Sequence, residues 1–85
     1  MKQFEYTIRD EIGIHARPAG WLAKKAKEYS STITVTKGEK SAVATKLIAL
    51  MGMGIKCGDT VTVTVDGADE TEAFADIKSF FESNL

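Results

Sequence analysis

The chain has 85 residues and a formal net charge of −1. At this length folding buries only about 60% of the unfolded chain's surface, so one small domain spanning residues 1–85 is expected. The near-neutral charge argues against general nucleic-acid binding, and no apolar run approaches the roughly 20 residues of a membrane span. One cysteine, Cys57, excludes an internal disulfide, and Met1-Lys2-Gln3-Phe4-Glu5 carries no signal-peptide pattern. Both features lead to the expectation of a cytoplasmic protein without stable membrane association.

Phe4, Tyr6 and Ile8 alternate with polar residues, as in a half-buried first strand. A loop follows over Asp10–Gly13. A helix is predicted from about Ala16 to Lys27, with Ala19, Leu22, Ala23, Ala26 and Tyr29 as its apolar stripe. Thr32–Thr36 alternates as a second strand. Lys37-Gly38-Glu39-Lys40 reads as a turn, and Ser41–Ala44 as a short third strand. Leu47–Met51 is a short helical segment ended by Gly52 or Gly54. Thr60–Val65 sets threonines against Val61, Val63 and Val65, the clearest strand pattern in the chain. Asp69 then reads as an N-cap, with Glu72 completing a capping box before a last helix. That helix turns Ala73, Ile77, Phe80 and Phe81 inward.

The order is βαββαβα. Strands with one apolar face need helices on that face and water on the other. The expected class is α+β: a four-stranded antiparallel sheet with three helices on one face.

Gly13-Ile14-His15-Ala16-Arg17-Pro18-Ala19 holds the only histidine and the only proline. Proline is tolerated in a helix's first turn, which places His15 at the mouth of the first helix. None of the preferred capping residues stands there, so the helix keeps free N–H donors, and its dipole favours an anion. Arg17 would be disfavoured by that dipole unless an anion sat between them. Its planar fork suits phosphate. An imidazole, a guanidinium and a helix start form a place to hold a phosphoryl group.

Gly20, Lys24 and Lys27 share a helical face with Ala16, read either as solvated surface or as docking surface for an acidic partner. Gly20 costs ~1 kcal/mol of helix propensity relative to alanine, which close approach of a partner would justify. Trp21, at the edge of this face, fits a core margin or an interface anchor. Leu47, Ile48, Met51 and Met53 cannot all point inward from a short helix, so at least two should be exposed. Cys57 reads as an inert thiol in a turn. One histidine and one distant cysteine make no metal site, and no cofactor is expected.

The 13–19 segment resembles the phosphorylation motif of the histidine-containing phosphocarrier (HPr) family. That family serves the bacterial phosphoenolpyruvate-dependent sugar phosphotransferase system. The resemblance spans essentially the whole chain in length and element order. It implies an open-faced β-sandwich with strand order 1-4-2-3. It also implies that His15 takes a phosphoryl group on Nδ1 from enzyme I and gives it to enzyme IIA domains. Arg17 would then be the phosphate's charge partner, with the Ala16 and Arg17 N–H groups as donors. Leu47, Ile48 and Met51 match the family's apolar docking patch, and Gly54 the glycine after it. The expected protein is a monomeric carrier, not an enzyme.

Two departures stand out. Many homologues carry a regulatory serine at the start of the second helix, where this chain has Lys46 preceded by Thr45. Gly20 and Trp21 are also unusual after the motif. They leave room for an alternative, a regulatory paralogue whose His15 phosphorylation controls regulators instead of sugar transport. A small acyl-phosphate hydrolase would need a water-activating base beside His15. A sheet-based RNA binder would need exposed aromatics and a basic surface. Neither requirement is met in the sequence.

Overall fold

The computed structural model describes residues 1–11 and 16–85. Its elements are β1 (Lys2–Thr7), α1 (Ala16–Ala26), β2 (Thr32–Lys37), β3 (Lys40–Val43), α2 (Leu47–Gly52), β4 (Thr60–Asp66) and α3 (Glu70–Asn84). The sheet order is β1-β4-β2-β3, and every neighbouring pair is antiparallel. This is the open-faced βαββαβα sandwich.

Side-chain alternation decides which sheet face is covered. Phe4, Ile33, Val35, Ala42, Val61, Val63 and Val65 are buried beneath the helices. Register stacks them across strands, with Val63 opposite both Phe4 and Val35. The other face is largely threonine: Thr34 pairs with Thr64 and Thr36 with Thr62. Those β-branched side chains suit a pleated surface and tolerate water.

From α1 come Ala19, Leu22, Ala23 and Ala26, from α2 Leu50, and from α3 Ala73, Ile77, Phe80 and Phe81. Phe81 anchors α3, with the rings of Phe4 and Tyr6 both edge-on at 5.6 Å. Such edge-to-face geometry suits the aromatic quadrupole.

Several boundaries differ from the sequence expectation. The β2 and β3 strands meet at a Lys37–Lys40 pair, leaving a two-residue loop where four residues were expected. Ladder hydrogen bonds extend both strands toward the loop. The α1 helix ends at Ala26, although the Lys27 N–H still donates to Ala23 O at 3.1 Å. Of the two candidate stops after α2, Gly52 remains helical. Gly54 holds φ +64, the left-handed conformation that ends helices and favours glycine.

The capping box at Asp69 is not formed. Asp69 sits at the N-cap of α3 but makes no side-chain cap hydrogen bond. Its carboxylate instead accepts from Ser30 N–H at 2.8 Å, from Ser31 N–H at 2.9 Å and from the Ser31 hydroxyl. Three donors outside the helix outcompete one within it. Glu72 is exposed, and Glu70 does the reaching back, accepting from Gly67 N–H at 3.3 Å. The turn holding Gly67 lies so close to Ser31 that a Cβ there would fall 2.6 Å from Ser31 Cα.

Candidate functional site at the start of the first helix

His15, Gly13 and Ile14 lie outside the described residues. The helix following them begins at Ala16, with no acidic residue in its first turn. Pro18 falls in that first turn, as expected, and is buried with Ala19. Helix-start N–H groups lack intrahelical partners, so this end is electropositive. Arg17 is exposed there and adds a full charge.

Trp21 is 51% exposed. The Arg17 Cζ lies over its ring, 6.0 Å from the centroid. Arg17, Pro18 and Trp21 line a cleft of about 280 Å3 together with Asp10, Ser83 and Asn84. Sequence reasoning missed these last three: Ser83 and Asn84 come from the far end of the chain, and Asp10 carried no motif signal. The end of α3 is brought there by Leu85 O, which accepts from Arg9 N–H at 2.5 Å and Asp10 N–H at 2.7 Å.

The α2 helix packs beside α1. Leu50 and Met53 are buried and Leu47 is half-buried. Ile48 is 80% exposed and Met51 42%, so two of the four apolar side chains do face outward. On α1, Gly20 is half-buried and Lys24 is exposed, as is Lys27 just beyond the helix. Lys46 is the N-cap of α2, with an extended backbone and no side-chain cap bond.

A polar clip joins α1 and the turn after it to α3. Asp76 accepts from Tyr29 Oη at 2.5 Å and from Lys25 Nζ at 3.1 Å. The phenol is pushed up to about 12, first by its hydrogen bond to the carboxylate and then by desolvation. The same bond holds Asp76 below the usual carboxylate range, with Lys25 assisting. The expected apolar stripe therefore ends in a residue whose ring packs on the core and whose hydroxyl crosses to α3.

Residues 2–83 match the family described as PTS HPr, the phosphorylation site of the HPr component. The phosphocarrier protein HPr of Mycoplasma genitalium is 42% identical over 86 residues, covering 99% of this chain and 97% of that protein. The chain belongs to the HPr family. It is therefore a protein of the phosphocarrier family of the phosphotransferase system and, as its relatives are named, not an enzyme. The solved HPr structure of a Mycoplasma superposes with a TM-score of 0.93 at 38% identity, covering 96% of this chain and 93% of that one. The multiphosphoryl transfer protein of Xanthomonas campestris matches 96% of this chain at 33% identity, over only 10% of its own length. Among the described residues of this HPr-family protein, no helix is long and apolar enough to cross a membrane.

Proposed function

We propose that His15 accepts a phosphoryl group from phosphorylated enzyme I and passes it to enzyme IIA domains in sugar uptake. The observation that carries this reading is Arg17. It is exposed two residues after the only histidine, in the first turn of a helix free of acidic residues. A cation at that place is unfavourable unless an anion joins it. A phosphoryl group on His15 is such an anion.

In each transfer a P–N bond forms at His15 Nδ1 while the bond from phosphorus to the donor atom breaks, its electron pair leaving with the donor. The reverse exchange delivers the group to the next acceptor. Negative charge stays on the phosphoryl oxygens throughout. Arg17 and the N–H groups of Ala16 and Arg17 stabilise it without reorganising. Gly20, Lys24, Lys27, Leu47, Ile48 and Met51 form the docking surface, apolar at α2 and basic along α1. One domain, acting as a cytoplasmic monomer, carries all of this. The match to a multiphosphoryl transfer protein over a tenth of its length supports a unit that works beside larger transfer partners.

The test incubates the protein with phosphoenolpyruvate and enzyme I, then adds an enzyme IIA domain. Acid-labile, base-stable phosphate should form on wild type and not on His15→Ala. Arg17→Ala should keep its circular dichroism spectrum and transfer more slowly. Phosphate retained by His15→Ala would falsify the acceptor assignment. Label that forms on His15 but passes to no IIA domain would favour the regulatory alternative.

A further inference from the structure

Arg17 and Trp21 stand four residues apart on α1, the spacing at which helical side chains meet. The guanidinium carbon lies over the indole ring at 6.0 Å, and both side chains line the same cleft. The half-exposed Trp21 is not needed to fill the core, since neighbouring Leu22 is fully buried there. A guanidinium is planar, so a ring engages its face while its five N–H donors remain in the plane. A contact through that face would leave the phosphate-binding edge of Arg17 free.

We infer that Trp21 is a positioning residue whose ring holds the Arg17 guanidinium by its face, leaving its N–H edge free for the phosphoryl group transferred at His15. This deepens the proposed role of His15 and rests on it. An exposed arginine side chain samples many rotamers, and each transfer would have to order them. The ring restricts that freedom beforehand, so less ordering remains for the transition state. The effect is bounded by exposure: a cation–π contact in water is worth about two- to five-fold in rate.

Single-turnover transfer from saturating enzyme I is measured for wild type, Trp21→Leu, Trp21→Phe, Arg17→Ala and the Trp21→Leu/Arg17→Ala double variant. Trp21→Leu should be slower by about two- to five-fold, and Trp21→Phe should retain most of the wild-type rate. In the Arg17→Ala background the Trp21→Leu loss should disappear, because the ring acts through the guanidinium. Trp21 fluorescence should change on phosphorylation of wild type and not of Arg17→Ala. A wild-type rate in Trp21→Leu overturns the inference. So does a loss that persists without Arg17, or one that appears only when enzyme I is below saturation, since either makes Trp21 a docking residue. Phosphoramidate, a small phosphoryl donor, separates the two levels of the reading. No label on His15 from either donor ends the carrier reading and the inference with it. Normal labelling without any Trp21 effect ends the inference alone.

Discussion

The carboxylate of Asp69 turns away from the helix it precedes and holds Ser31, whose N–H donates to Oδ1 at 2.9 Å. The Ser30 N–H and the Ser31 hydroxyl converge on the same group. The connection between α1 and β2 is thereby tied to the start of α3.

That tie predicts an acid-sensitive corner. The serine donors, the Ser31 hydroxyl first, lower the Asp69 carboxyl from its ordinary value. A depressed folded-state value means that the contribution is present above the unfolded pKa of about 3.9 and is lost as pH falls through the folded one. Asp69→Ala should lower the melting temperature at pH 7, and the gap from wild type should close as pH falls below the unfolded carboxyl value of about 3.9. A gap independent of pH would contradict the assignment.

The Tyr29–Asp76 clip predicts the opposite sign at high pH. A phenol raised to about 12 in the folded protein stabilises the fold fully below its unfolded value of about 10. That contribution is lost as pH rises from about 10 toward 12. Tyr29→Phe should cost about 1 kcal/mol at pH 7, because a hydrogen bond to a charged group is discounted by partial exposure. The NMR shift of Tyr29 Cζ, followed from pH 8 upward, should still report the protonated phenol at about pH 10–11. Ionisation near the free-tyrosine value would remove the basis for the clip.

The proposed docking surface predicts a separation of stability from function. Ile48 is 80% exposed, so Ile48→Asp should leave the melting temperature unchanged while weakening the encounter with enzyme I. At Gly20 an added Cβ would meet nothing within 4 Å. Gly20→Ala should therefore stabilise the protein by about 1 kcal/mol, the alanine–glycine difference in helix propensity. If Gly20 lets a partner approach closely, the same change should weaken enzyme I binding. Lys24 and Lys27 should set its salt dependence. NMR shift changes confined to the threonine face of the sheet would place the partner elsewhere.

Lys46 predicts escape from serine-kinase control. A phosphoserine at the start of α2 would place a charge of about −1.5 to −2 beside exposed Ile48 and Met51. Lys46 has no hydroxyl and carries the opposite charge. Thr45 is shifted by one residue, and Ser41 lies in β3. Incubation with HPr kinase and ATP should leave the intact mass unchanged. Stoichiometric phosphothreonine at Thr45 would show that control has moved by one residue.

The sheet and its covering helices were legible in the chain because their signals are local. The alternation of Val61, Val63 and Val65 with threonine specifies a strand and its buried face within seven residues. The spacing of Ala19, Leu22, Ala23 and Ala26 does the same for a helix. Strand order is not local, and it was anticipated from family resemblance, not from periodicity.

What the sequence by itself determined is the set of elements, their inward faces and the coincidence of histidine, arginine and proline at a helix start. Only the tertiary structure decided where the polar side chains spend their hydrogen bonds. Asp69 has a local partner available in its own helix and takes Ser30 and Ser31, more than 35 residues away, because three donors meet it there. Tyr29 has the spacing of a core residue, yet its hydroxyl needs a partner when half-buried and finds it on Asp76. Trp21 reads as a core margin or an interface anchor, and only the fold brings the end of α3 and Asp10 together with it in a cleft. Periodicity records which residues avoid water. Hydrogen-bond partners and cleft walls are chosen by proximity in space, which no short window of sequence contains.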